Sequence, residues 1–137
     1  RSSDLNIVKK VEVCVLRTNE PNCYMNSILY LEKDNLLIAR VREGKMKGWK
    51  FQNNRFQLYQ EYYMGESRPT VKMVHNSKEL LVLTNNKKIY SLNPLTGVFE
   101  TSQDIQLKSC TAAQIHPTKR LLIIGDGKSP KIAIVKY

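Results

Sequence analysis

The run Leu36-Leu37-Ile38-Ala39 returns as Leu80-Leu81-Val82-Leu83 and again as Leu121-Leu122-Ile123-Ile124. The first leucines of these runs are 44 and 41 residues apart. Each run is aliphatic, rich in branched side chains and too short for a helix. A polar turn precedes each one: Glu32-Lys33-Asp34-Asn35, Asn76-Ser77-Lys78-Glu79 and Pro117-Thr118-Lys119-Arg120. Ahead of each turn lies another strand-like stretch, Ser27 to Leu31, Val71 to His75 and Ala112 to His116. His75 and His116 both stand five residues before their leucine pair, and such repetition points to a structural role.

Downstream of each run a loop leads to a third strand: Trp49-Lys50-Phe51, Lys88 to Leu92 and Lys131 to Val135. The first two units continue into a fourth strand, Arg55 to Tyr62 and Gly97 to Gln103. Asn93-Pro94-Leu95-Thr96-Gly97, between the third and fourth strands of the second unit, is built from reversal-favouring residues. Several short strands punctuated by turns predict an all-β domain. A four-strand unit with a period of about 40–45 residues predicts propeller blades in particular. One such sheet cannot cover both of its faces alone; stacking on radial neighbours covers them.

The units resemble WD40-type repeats over residues 24–137. Ile89-Tyr90-Ser91-Leu92-Asn93-Pro94-Leu95-Thr96-Gly97 looks like that family's third strand and its Thr-Gly turn. The phrase from His116 to Gly125 looks like the passage from first to second strand, and Trp49-Lys50 and Val135-Lys136 stand where the family often has Trp-Asp. Neither a Gly-His nor a Trp-Asp dipeptide is present, so the resemblance is to divergent repeats. It implies a scaffold that binds proteins, peptides or nucleic acid, usually without catalysis.

The expected organisation is an N-terminal strand within residues 1–17 and blades at 24–64, 69–105 and 109–137, the last without a fourth strand. Propellers have about four to eight blades, so three plus one extra strand, Ile7 to Leu16, make a partial ring. Further propeller sequence, from another chain or from upstream of Arg1-Ser2-Ser3-Asp4, is the favoured completion. Two copies forming a six-bladed homodimer are the alternative.

Composition narrows the function. The 137 residues carry a formal charge of +10, which favours anionic partners: an acidic protein, nucleic acid or a lipid headgroup. No apolar run approaches the roughly 18 residues that span a bilayer. Cys14, Cys23 and Cys110 are odd in number and unpaired in spacing, which predicts reduced thiols in an intracellular protein, nuclear or cytoplasmic. No nucleophile elbow, HExxH motif or zinc-ligand cluster occurs, and Gly125-Asp126-Gly127-Lys128-Ser129 lacks P-loop spacing. The sequence therefore predicts no enzyme, no cofactor and no metal.

Two candidate surfaces remain. Arg42, Lys45 and Lys47, then Lys87 and Lys88, then Lys128 and Lys131 fall in the expected loops between second and third strands. In a propeller those loops emerge on one face, so dispersed lysines gather into an arc facing an acidic partner or a nucleic-acid backbone. The second surface is aromatic: Tyr59, Tyr62, Tyr63 and Met64 run into the loop after the first blade, as residue types that anchor protein interfaces. Strand alternation is expected to bury Trp49 and Phe51 together on one side.

Overall fold

The computed structural model describes residues 27–42, 45–64, 70–84, 88–105, 112–126 and 130–137. The expected strand Ile7 to Leu16, all three cysteines, Lys87 and Lys128 lie outside them. Among the described residues, eleven strands build three antiparallel sheets. The first holds β1 (Ile28–Leu31), β2 (Leu36–Arg42), β3 (Lys45–Gln52) and β4 (Arg55–Tyr63) in that order. The second holds β5 (Thr70–His75), β6 (Leu80–Thr84), β7 (Lys88–Asn93) and β8 (Val98–Asp104). The third holds β9 (Ala112–Ile115), β10 (Leu121–Asp126) and β11 (Lys131–Lys136), with β10 in the middle. The all-β expectation and the partial propeller are borne out.

Each reversal has a local cause. Between β1 and β2 a 3-10 turn, Glu32–Asp34, ends on Asn35, in the left-handed region at φ 50°, which asparagine tolerates. Asn53 and Asn54 take φ of 54° and 60°, the pattern of a type I′ hairpin between β3 and β4. In the Asn93–Gly97 turn, Asn93 Oδ1 accepts from the amides of Leu95 and Thr96, and Gly97 supplies φ +79°. His116 Nδ1 accepts from the amides of Thr118 and Lys119, capping the turn from β9 to β10. In the turn from β5 to β6 the side chain that accepts from two turn amides, those of Lys78 and Glu79, is Asn76 rather than His75. The two histidines thus align in sequence without sharing this role.

The sheets stack face to face. Leu31, Leu36, Ile38, Met46 and Tyr62 of the first meet Met73, Leu80, Val82, Tyr90 and Leu92 of the second. On its other side the second sheet presents Val74, Leu81, Leu83 and Ile89 to Ala113, Ile115, Leu122 and Ile124 of the third. Each fully buried aliphatic or aromatic side chain contributes roughly 1.5–3 kcal/mol, so these two seams hold the fold. β6 is buried at every position, because it has a neighbour on both faces. β1, β5 and β9 lie side by side as the inner strands, and Ser27 links the first two by accepting the Met73 amide on its hydroxyl.

One finding departs from the leucine alignment. Leu36 and Leu80, each first in its pair, face one another across the first seam. In the third sheet the second leucine, Leu122, enters the seam, and Leu121 and Ile123 point the other way. The pairs are equivalent along the chain but not in pleat phase, and one residue of phase exchanges the two faces of a strand.

Candidate partner-binding surfaces

The basic arc is assembled from strand ends more than from loops. Lys45, Lys88 and Lys131 are the first residues of β3, β7 and β11, three equivalent positions at one end of the sheets. Lys45 and Lys47 correct the sequence reading, which placed them in a loop and began the third strand only at Trp49. Met46 and Gly48 turn toward the seam with the second sheet, so the strand begins at Lys45 and the lysines between them take the opposite face. Arg42 ends β2, paired in register with Lys45.

Acidic side chains on the fourth strands reach into this arc. Lys47 Nζ lies 3.5 Å from Glu61 directly opposite on β4, and Lys88 Nζ lies 2.8 Å from Asp104 directly opposite on β8. Exposed pairs contribute about 0–1 kcal/mol each. They also lower the positive potential at two of the positions assigned to the arc. Lys131 is exposed at the start of β11.

The aromatic candidates separate into different roles. A bulge sets Gly48 against Gln60 and Trp49 against Leu58, leaving Tyr59 as the extra residue of β4. Bulges re-aim side chains, and here Tyr59, Gln60 and Tyr62 all reach the Asn93–Gly97 turn of the second blade. Tyr59 donates to the Leu95 carbonyl, Gln60 to that of Thr96 and Tyr62 to that of Pro94. Tyr62 is therefore corrected from an interface anchor to a seam residue: it is 1% exposed, and its ring lies over Gly48. A β-carbon at Gly48 would stand 3.0 Å from the Tyr62 hydroxyl. Burial, and then the nearby Tyr59, push the Tyr62 phenol well above its ordinary pKa.

Tyr63 is exposed, and Met64 is half-buried against the first seam. Trp49 is buried with Ala39 and Val41 on the far face of the first blade. Phe51 is not buried with it: at 37% exposed, it stacks on Phe56 at the outer hairpin, with ring centroids 4.8 Å apart.

Sequence reasoning missed two features. On the face where the β1–β2, β5–β6 and β7–β8 turns emerge, an open cleft of about 1010 Å³ lies between the first two blades. Glu32, Asp34, Glu79 and Glu100 line it together with Lys33 and Lys78, a mixed charge that selects no ligand class. Beside it Arg120 Nη1 contacts Glu79 at 2.6 Å, and Tyr137 donates to the other oxygen of the same carboxylate. Burial, and next the bond to Glu79, raise the Tyr137 phenol to about 12. Among the described residues no group of His, Cys, Asp and Glu has the makings of a metal site. No helix among them is long and apolar enough to cross a membrane.

Inner-to-outer strand order, face-to-face blades and hairpin connections define a partial β-propeller of WD40-like blades. No family model matches the chain, and no curated protein matches it in sequence. Among solved structures it is similar to the β-propeller domain of Cps50 (Swd1) from Myceliophteria thermophila, with a TM-score of 0.68 at 12% identity over 82% of this chain and 40% of that one. It is similar to the WD40 repeats of RRP9, with a TM-score of 0.63 at 8% identity over 84% of this chain and 39% of that one. The periplasmic gluconolactonase PpgL of Pseudomonas aeruginosa aligns with a TM-score of 0.64 at 12% identity, over 83% of this chain and 36% of that one. At such identities the likeness is one of fold, and one of these propellers is named as a gluconolactonase. The chain spans two fifths or less of each of these propellers.

Proposed function

We propose that this chain is a non-catalytic propeller scaffold that mediates protein–protein interaction within an intracellular multi-subunit assembly, its ring completed by further propeller sequence. The observation that carries this reading is the far face of the third blade. Ile123, Ile132 and Ile134 point away from the second seam and are 36%, 76% and 68% exposed. The equivalent central strand of the second blade is buried on both faces. An aliphatic sheet face of this kind marks a contact surface. The absence of a paired acid and base among the motifs supports a binding role over catalysis.

A second reading, nucleic-acid binding through the arc, is favoured by the equivalent placement of Lys45, Lys88 and Lys131. The carboxylates beside Lys47 and Lys88 weaken it. Binding to generic DNA or RNA that falls steeply with added salt would support it.

The test is amine crosslinking of the full chain in extract from its source cells, with the crosslinked lysines mapped. Crosslinks from Lys131 and Lys136 to one recurring second polypeptide are expected. Crosslinks from these lysines to this chain alone would contradict the scaffold reading.

A further inference from the structure

The outer edge of β11 is where the third sheet differs from the other two. β3 and β7 each carry a fourth strand on their outer side, whereas among the described residues β11 carries none. The Tyr137 amide donates to Arg120 on the β10 side, so by alternation the amides and carbonyls of Ile132 and Ile134 point outward. At the far end Gln103 of β8 donates to the Lys136 carbonyl, which confines the open stretch to the part of the strand nearer Lys131.

We propose that this edge is a strand-acceptor site for an extended segment of another polypeptide. The segment carries a carboxylate opposite Lys131 and aliphatic side chains opposite Ile132 and Ile134. The inference rests on the scaffold reading and adds the chemistry of what docks.

The two complete blades supply the charge rule. In each, a lysine at or near the start of the third strand has a carboxylate directly opposite on the fourth, Glu61 for Lys47 and Asp104 for Lys88. Lys131 holds in β11 the place that Lys88 holds in β7, the first residue of the strand. Asp126 stands opposite Lys131 on β10, but among the described residues no carboxylate lies within ion-pair distance of the Lys131 ammonium. The incoming strand therefore places an acidic residue on the outer side. Ile132 and Ile134 lie two apart on one face, so their partners alternate as well. Read from its N-terminus in antiparallel pairing, the segment runs aliphatic, any residue, aliphatic, acidic.

A second copy of β11 does not meet this description. Outward-pointing residues pair only with outward-pointing residues. Antiparallel self-pairing that sets Ile132 against Ile134 therefore brings Val135 opposite Lys131 and supplies no carboxylate there. Strand addition draws its affinity from main-chain hydrogen bonds and its specificity from alternate side chains, which matches what this edge offers.

The test uses the full chain and two labelled synthetic peptides, one containing valine–threonine–valine–aspartate and its twin with lysine for aspartate. Fluorescence anisotropy is expected to show the aspartate peptide bound about tenfold more tightly, a favourable cross-strand pair having been exchanged for a like-charged one. Lys131→Glu is expected to invert the preference. Ile134→Pro removes an outward amide that no described strand uses, so it is expected to abolish binding of both peptides and leave the circular dichroism unchanged. No binding of either peptide, a preference untouched by Lys131→Glu, or binding that survives Ile134→Pro would each overturn the proposal. If the peptides fail while Lys131 and Lys136 still crosslink to a second polypeptide, the scaffold reading stands and only the strand-acceptor edge is lost.

Discussion

Tyr62 shows how one side chain joins two repeats. Its ring occupies the space that Gly48 leaves, and its hydroxyl reaches the Pro94 carbonyl in the next blade. Tyr62→Phe keeps the packing and leaves that carbonyl short of its donor, so it is expected to lower stability by about 1–2 kcal/mol in urea titrations. The pH dependence follows from the same site. The phenols of Tyr62 and Tyr137 hold their protons more tightly folded than unfolded, the second to about 12 against an ordinary 10. Their contribution is intact below the unfolded value and is lost as pH rises through the folded one. The stability of the unaltered chain is thus expected to fall more steeply between pH 10 and 12 than that of Tyr62→Phe. Equal slopes would show that Tyr62 is not held protonated by its burial. Sequence could name Tyr62 as notable but not as buried. What decides its burial is the bulge at Tyr59, which rests on cross-strand register, and no local residue pattern displays register.

At the scale of the strand, the leucine runs gave the right elements but an incomplete account of their faces. β6 shows no alternation because both of its sides are covered. In β10 alternation reappears, with Leu122 and Ile124 in the seam and Ile123 outside. The composition of the two runs is nearly the same, so only the stacking tells them apart. Leu80→Ala is expected to cost about 2–5 kcal/mol, the range for a buried leucine left as a cavity. Ile123→Ala on the open face is expected to cost on the order of 1 kcal/mol or less, since part of its surface is never removed from water. Equal losses at the two positions would mean that the third blade is covered on both sides. The start of β3 was hidden for a related reason: Lys45 and Lys47 read as loop by charge. Their alternation with Met46 and Gly48 was the available signal for a strand.

At the scale of the molecule, three radial sheets with two apolar seams account for the core, and the third blade ends the arc with an aliphatic face and an unclaimed edge among the described residues. The periodicity of the chain revealed the blades, because a repeated unit repeats its turns and its apolar runs. It revealed neither which face of the last blade is open nor how the lysines are neutralised, because both depend on neighbours many residues away. The central claim, an open third blade, is tested most directly by residue-resolved hydrogen exchange of the full chain alone. The ladder between β10 and β11 is expected to protect the amides of Ala133 and Val135, while those of Ile132 and Ile134 exchange fast and β6 exchanges slowest of all. Uniform protection from Ile132 to Val135 would contradict the account, because the outer edge of β11 would then already be paired.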